Sequence, residues 1–207
     1  GLVQEQYMFS DSSALRLTVA RYYTPLGRCI QKPYMHGRQA YYEEYYNRFL
    51  SGEVYSKDSM KVNDSIRFIT PAGKEVYGGG GIVPDYFVSI DTTGSSDLYR
   101  LLRKNRLMDN FAYNYASGIR KDLLSKYSSA IEYGSSLKEE KRTELEFKSY
   151  LRDKKISFQA EDWKKSEKWI NGTLKAKIAQ QCWGGDAFYE LYNQISPSYN
   201  KAVDLLQ

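Results

Sequence analysis

Residues 13–30 read Ser13-Ala14-Leu15-Arg16-Leu17-Thr18-Val19-Ala20-Arg21-Tyr22-Tyr23-Thr24-Pro25-Leu26-Gly27-Arg28-Cys29-Ile30. Apolar side chains alternate with polar or small ones from residue 15 to residue 20, which is the period of a half-buried β-strand. Pro25 and Gly27 then favour a turn, because proline fixes one backbone angle and glycine relaxes another. We predict a strand over residues 14–23, a turn, and a return along the same sheet from Arg28 to Lys32.

The segments around this stretch are also mostly extended. Residues 2–9 form a second predicted strand, separated from the first by a polar turn at residues 10–13. Residues 66–77 are typical of a β-hairpin around Thr70-Pro71-Ala72-Gly73, and a further short strand is predicted from Tyr86 to Ile90. The tyrosines of residues 38–50 recur at helical spacing and predict one helix.

The character of the chain changes at Asp91-Thr92-Thr93-Gly94-Ser95-Ser96. From Asp97 onward the periodicity is helical, with Ser96 or Asp97 as the expected cap of a first helix. We predict two domains, a β-rich one over residues 1–93 and a helical one over residues 94–207. The predicted fold class is α+β.

Several stretches of the helical half carry helical patterns. The first helix is expected to have one apolar face from Leu98 to Tyr115, and Gly118 and Gly134 are expected to interrupt the chain after it. Residues 139–154 and 161–183 are two further predicted helices, the latter weakened by Gly172 and ended by Gly184-Gly185. A final helical pair surrounds Ser196-Pro197. The apolar sides of the two long helices are expected to be Leu145, Phe147, Tyr150, Leu151, Trp163, Ile170, Leu174 and Ile178.

The net charge of +5 belongs to the second half of the chain, since residues 1–96 hold equal numbers of basic and acidic side chains. A basic surface could attract nucleic acid or an anionic membrane. Acidic residues interrupt this one and no nucleic-acid motif accompanies it, so a solvated helix face is preferred. The basic residues in question are Arg100, Arg103, Lys104, Arg106, Lys164, Lys165, Lys168, Lys175 and Lys177.

Metal and cofactor sites find little support in the sequence. Cys29 and Cys182 are far apart, without a Cys-x-x-Cys pair, and His36 is the only histidine. A disulfide is possible, but two separate thiols are the favoured interpretation. A Ser/His/Asp triad would have to use His36, which has no nucleophile-elbow sequence to partner it. We expect no metal and no cofactor.

Three blocks, in order, carry a family resemblance. They are Gly1-Leu2-Val3-Gln4, residues 14–30, and Val76-Tyr77-Gly78-Gly79-Gly80-Gly81-Ile82-Val83-Pro84-Asp85. Together they resemble the carboxy-terminal processing peptidases, or tail-specific proteases, which are serine peptidases with a Ser/Lys catalytic pair. The resemblance covers roughly the first 90 residues strongly and the helical tail only weakly.

The resemblance implies a partial ClpP/crotonase-like catalytic core followed by a C-terminal helical region. The parent would be a bacterial hydrolase of the periplasm or cell envelope. It would carry out proteolysis of proteins with accessible C-termini, and its PDZ domain would hold the C-terminus of the substrate. Gly1 would sit directly after the catalytic lysine, so the Ser/Lys pair is expected outside these residues. We therefore expect the 207-residue chain by itself to be inactive and to self-associate through exposed strands. No nucleic-acid partner is expected.

Gln4 is the one catalytic residue that the resemblance assigns to this chain. In the family, the glutamine at this position supports the catalytic lysine. That lysine must be neutral to take a proton from serine, and a neutral amide can orient its amine without stabilising the charged form. Without the flanking blocks, Gln4 would be interpreted as an ordinary strand residue.

Two other features of the resembling blocks are interpreted as structural. Gly78 to Gly81 lacks the Gly-Lys-Ser/Thr ending of a phosphate loop and is expected to be a tight backbone passage. Asp85, after Pro84, is expected to accept backbone hydrogen bonds in a turn rather than to act as an acid. The alternative function is a non-catalytic helical interaction or regulatory module, since residues from Asp97 onward carry no catalytic motif.

Overall fold

The computed structural model describes residues 2–32, 34, 37–60, 66–79 and 81–207, with only the backbone described at residue 45. The chain is 57% helical and has two small antiparallel sheets, so its fold class is α+β. It divides into two compact units, Gly1–Ile90 and Asp91–Gln207.

The first sheet is the hairpin of β1 (Leu2–Met8) and β2 (Ala14–Arg21), as predicted. Its turn is closed by Asp11, whose Oδ1 accepts hydrogen bonds from the backbone N–H and the hydroxyl of Ser13 at 2.9 and 2.6 Å. A β-bulge between Val3 and Gln4 shifts the register, so that Val3 pairs with Ala20 and Gln4 with Thr18.

The expected half-burial of the second strand is wrong, because every residue of β2 is exposed. Leu15 and Leu17 share one face with Tyr7, since Tyr7 pairs with Leu15 and side chains alternate along a strand. Leu15, Leu17 and Tyr7 are 43%, 46% and 47% exposed respectively. The described residues thus leave an apolar sheet face open to solvent.

The turn after β2 forms as the sequence predicts. Gly27 adopts a φ of +77° and donates its N–H to the carbonyl of Thr24 at 2.8 Å. The expected return along the sheet is limited to a single antiparallel bridge between Tyr23 and Cys29. The carbonyl of Cys29 then accepts a backbone hydrogen bond from Gly79 at 3.1 Å, which brings the glycine run against this turn.

In the described part of the rest of the first unit, the regular structure is one α-helix, a short 3₁₀ helix (Lys57–Ser59) and one hairpin. Helix α1 is Gly37–Leu50, and β3 (Arg67–Ile69) pairs antiparallel with β4 (Glu75–Tyr77), both as predicted. The predicted strand from Tyr86 to Ile90 is wrong, since this segment has no regular structure. Its backbone has a contact to Val54, whose carbonyl accepts from the Ile90 N–H at 3.1 Å. One such bond does not make a ladder.

The second unit begins with α2 (Asp97–Lys104), capped by the Ser96 hydroxyl. The single helix expected here is two, because Arg106 takes a left-handed conformation (φ +53°) and a second helix, α3 (Leu107–Lys126), starts after it. The predicted break at Gly118 is wrong, since α3 runs through it. Gly134 does end a helix, α4 (Ala130–Gly134).

The core of the second unit lies between two long helices and their neighbours. Helix α5 is Leu137–Asp153 and α6 is Ala160–Trp183, followed by α7 (Gly185–Tyr192) and α8 (Pro197–Leu206). The predicted stripe is buried at Phe147, Leu151, Trp163, Ile170, Leu174 and Ile178. The prediction that Leu145 belongs to this apolar side is wrong, because its side chain is 69% exposed.

Gly172 is accommodated inside α6 by close packing rather than by a break. A Cβ at this position would lie 2.7 Å from Cδ1 of Ile195, in the short 3₁₀ turn between α7 and α8. The glycine therefore allows the C-terminal turn to approach α6, and this gain offsets its lower helix propensity.

Candidate functional sites

Gln4 lies on β1 with an exposed side chain. Its Nε2 donates to the hydroxyl oxygen of Thr18, directly across the hairpin, at 3.4 Å. Its Oε1 accepts no hydrogen bond from the residues that the structure describes. The amide is thus attached to the sheet at its nitrogen, and its oxygen is left as an acceptor.

Gln6 lies on the same face of β1, two residues further along, but its amide is engaged differently. Its Oε1 accepts from Nη2 of Arg16 at 3.0 Å, and its Nε2 contacts Sδ of Met8 at 3.3 Å. Both ends of this side chain therefore have partners. The two glutamines share strand, face and exposure, and they differ in the availability of the amide oxygen.

The described part of the glycine run makes close backbone contacts. Gly78 donates its N–H to the carbonyl of Ile66 at 2.9 Å, and a Cβ at Gly78 would come within 3.1 Å of Ile66 and Phe68. Gly79 and Gly81 have positive φ angles of +83° and +105°. This geometry fits the predicted tight passage.

A cavity of about 410 Å³ lies beside this passage in the first unit, lined by residues of α1 and by residues 77–79 and 81–84. Its polar wall includes the ion pair of Arg48 and Glu53, in which two nitrogens of the guanidinium reach the two carboxylate oxygens at 2.9 and 2.7 Å. Asp85 lies just beyond it and accepts from Nζ of Lys74 at 2.5 Å, an ion pair that the sequence did not predict. His36 lies outside the described residues.

A second cavity, of about 320 Å³, lies within the helical unit and is open to solvent. Four helices contribute to it: α2 through Tyr99 and Arg103, α3 through Met108 and Asp109, α6 through Lys177, and α7 through Phe188. Arg106, at the junction of α2 and α3, also lines it. The sequence predicts a solvated face for its three basic residues, and Arg103 and Arg106 are exposed as predicted. Their convergence with Lys177 could not be predicted, because it depends on helices that are distant in the chain.

The basic residues of the second half differ in their surroundings. Lys164, Lys165 and Lys168 are exposed on α6, as a solvated face requires. The prediction of a solvated face is wrong for Lys175 and Lys177, since both are partly buried and paired with carboxylates of other helices. Nζ of Lys175 lies 2.6 Å from Glu140, and Nζ of Lys177 lies 2.6 Å from Asp109.

The two cysteines are separate free thiols, as favoured from the sequence. Cys182 is buried, and burial raises the pKa of its thiol, which keeps it in the unreactive protonated form. Among the described residues, no group of three or more His, Cys, Asp and Glu side chains could hold a metal ion. Over the same part of the chain, no helix combines the length and apolar character that crossing a bilayer demands.

A family model matches part of the chain. The model of a family of unknown function (DUF8443) matches residues 98–184, from α2 to the end of α6. No curated protein matches the chain, and no solved structure matches it. The matched segment lies entirely within the helical unit.

Proposed function

We propose that residues 1–93 are the C-terminal part of the catalytic core of a Ser/Lys endopeptidase that cleaves proteins near their C-termini. Residues 94–207 are its helical extension. The observation that carries the proposal is Gln4, whose amide nitrogen is held by Thr18 while its oxygen remains an acceptor. The motif resemblance over residues 1–4, 14–30 and 76–85 supports the same assignment.

The role of Gln4 follows from the protonation state that a lysine base requires. A neutral amine has a lone pair to take the serine proton and N–H groups to donate. Oε1 of Gln4 accepts one of these N–H groups and so aims the lone pair at the serine. Because the amide is uncharged, it adds no Coulombic preference for the ammonium form.

The remaining steps belong to the parent enzyme and to residues outside 1–207. The activated serine attacks the scissile carbonyl, backbone amides stabilise the oxyanion, and the lysine returns its proton to the leaving amine. A substrate chain bound in extended form beside the sheet presents its C-terminus to a PDZ domain. The proposed location is the bacterial periplasm or cell envelope, and no cofactor or nucleic acid takes part.

The test is a peptidase assay on the full-length protein encoded by the reading frame that contains this chain. That frame is expected to encode a serine-bearing block and a Gly-Lys before Leu2. Gln4→Ala should lower kcat on an unfolded protein substrate by about tenfold to a hundredfold, less than the roughly 10²- to 10⁴-fold contribution of a general base itself. Gln6→Ala is the matched control and should leave kcat unchanged.

Gln4→Glu makes the assay specific for a lysine base. A carboxylate beside the amine favours the ammonium and raises the lysine pKa, so the limb of the pH–rate profile that reports the base should move to higher pH. Gln6→Glu should not move it. The 207-residue chain alone should show no turnover. Activity of that chain that is lost on Gln4→Ala would sink the proposal, as would a reading frame without the serine block.

A second candidate concerns the helical unit, whose residues from Asp97 onward carry no catalytic motif. In this candidate, residues 94–207 are a non-catalytic interaction or regulatory module. Deletion of residues 94–207 from the full-length protein discriminates between the two roles. A module of this kind predicts that hydrolysis of a short peptide persists, while regulation or partner binding is lost.

A further inference from the structure

The cavity of about 320 Å³ in the helical unit is lined by basic side chains and by aromatic ones. Lys177 is already paired with Asp109 at 2.6 Å. Arg103 and Arg106 also line the cavity, and neither has an ion-pair partner among the residues described in this unit. Two guanidinium groups are therefore available to an anion from solvent, and each can bind a carboxylate through two parallel N–H donors.

Four of the residues that line this cavity are aromatic or apolar. Two of them, Tyr99 and Met108, are buried in the core of the unit, at 8% and 2% exposure. Phe188 and Tyr192 stack with ring centroids 5.1 Å apart and line the cavity. Burial raises the pKa of Tyr99, which keeps its phenol neutral and adds no negative charge. A ligand that fits this lining carries an apolar group next to its anion.

Arg106 is in a backbone conformation that an arginine does not favour. Its φ of +53° and ψ of 32° lie in the left-handed region, which costs free energy for a residue with a Cβ and favours Gly or Asn. Backbone preference therefore does not explain an arginine at this position. The Arg106 side chain lines the cavity.

We propose that this cavity binds a carboxylate attached to an apolar side chain, as presented by the C-terminal residue of a polypeptide. The guanidinium groups of Arg103 and Arg106 bind the carboxylate, and the apolar side chain lies against Phe188 and Tyr192. The volume is at the lower end of the range for ligand pockets, about 300–1,000 Å³, and suits one or two residues. Its opening to solvent leaves room for the preceding chain.

Calorimetric titration of the whole 207-residue chain with four probes tests the ligand chemistry. The probes are an N-acetylated tripeptide ending in Phe with a free carboxylate, the same peptide as its C-terminal amide, 3-phenylpropionate, and inorganic phosphate. The free-acid peptide should bind, and the amide should bind at least about tenfold more weakly, because the charge-assisted hydrogen bonds are lost. Phosphate should not bind, since it lacks the apolar group.

The probe 3-phenylpropionate shows whether the ligand is a small free carboxylate or the C-terminal end of a polypeptide. If it binds as tightly as the peptide, the ligand is a small free carboxylate; if it binds much more weakly, the ligand is a chain end. Either result supports the carboxylate site. Equal affinity for the acid and the amide, tight binding of phosphate, or no heat with any carboxylate overturns it.

Variants locate the site and separate binding from folding. Arg103→Gln should weaken peptide binding by roughly tenfold or more. Arg106→Gly should weaken it similarly while leaving the unfolding midpoint no lower than that of the parent, because glycine tolerates a positive φ. Arg100→Gln is the matched control, an exposed arginine on α2 that pairs with Asp97 away from the cavity. If Arg100→Gln weakens binding as much as Arg103→Gln, the assignment is wrong.

Discussion

The side-chain oxygen of Ser166 accepts a hydrogen bond from the backbone N–H of Ser96 at 2.9 Å, although 70 residues separate them in the chain. The Ser166 hydroxyl also donates to the carbonyl of Gly94 at 2.5 Å and lies 2.8 Å from the Ser96 hydroxyl. Ser166 is completely buried. One hydroxyl group therefore ties the segment that precedes α2 to the middle of α6.

Ser166→Ala should destabilise the helical unit. The change leaves the buried N–H of Ser96 and the carbonyl of Gly94 without this partner, and each unsatisfied buried group costs about 1–3 kcal/mol. Urea unfolding followed by circular dichroism measures the loss in the free energy of unfolding. Ser117→Ala is the control, since its exposed hydroxyl only bonds back to the carbonyl of Tyr113 on the same helix. The control should stay within about 0.5 kcal/mol of the parent, and an equal loss in both variants would contradict the role of Ser166.

Two glycines of this unit should respond to alanine with opposite signs. A Cβ at Gly94 would lie 2.4 Å from two ring atoms of Trp169, so Gly94→Ala forces repacking and should cost about 1–3 kcal/mol. Gly118 is an exposed residue inside α3 whose Cβ would meet nothing within 4 Å. Gly118→Ala should therefore add about 0.5–1 kcal/mol. Thermal unfolding of both variants measures the two changes in stability. Destabilisation by Gly118→Ala would contradict the described helix.

Glu132 should make a pH-dependent contribution to stability. Its carboxylate accepts hydrogen bonds from the backbone N–H and the hydroxyl of Ser128, both at 2.8 Å, and these bonds lower its pKa, the backbone bond most. A carboxyl with a lowered pKa in the folded state stabilises the fold above its ordinary pKa. The contribution is lost as the pH falls through the folded value.

Glu132→Gln isolates this contribution. The difference in unfolding free energy between the parent and the variant should be largest near neutral pH and should shrink as the pH falls through the acid range. Urea unfolding of both proteins across that range provides the measurement. A difference that is independent of pH would mean that the carboxylate charge does not matter at this position.

The exposed face of the β1–β2 hairpin should drive self-association of the isolated chain. Leu15, Leu17 and Tyr7 present apolar surface on one side of an unprotected two-stranded sheet. Sedimentation velocity at high micromolar concentration should show a species larger than a monomer. Leu17→Lys should shift the distribution to the monomer, whereas Thr18→Lys, on the opposite face, should leave it unchanged. A monomeric parent chain at that concentration would count against the prediction.

The elements that the sequence predicted correctly are those with a strong local signal. The period of two over β2 and the turn residues Thr70 to Gly73 specify the two hairpins. Ser96 caps α2 where the sequence places a cap, and the stripe from Trp163 to Ile178 is buried along α6. In each case residues close together in the chain carry the information.

The incorrect predictions have two kinds of cause, a partner strand that is missing from the described residues and a local backbone conformation that the residue type does not reveal. The segment from Tyr86 to Ile90 has strand-forming residues but no neighbouring strand among the described residues to complete a ladder. Gly118 does not end α3, because the surrounding turns continue the helix. The left-handed Arg106, which divides the expected first helix, has no sequence signature of the kind that a glycine would give.

The candidate sites divide in the same way. Gln4 is a prediction from a motif, since its neighbours in sequence carry the resemblance, and its catalytic role stays a proposal. The cavity lined by Arg103, Arg106 and Phe188 was not predicted from the sequence, since its residues come from four helices.

The sequence by itself determined the two hairpins with their turns and the cap of α2, because backbone preferences and side-chain periodicity act over a few residues. Only the tertiary structure decided which apolar faces are covered. Leu17 is 46% exposed while Ile170 is fully buried, although both belong to regular apolar patterns. Burial depends on the neighbour that packs against a side chain, and that neighbour is fixed by the path of the whole chain rather than by local pattern.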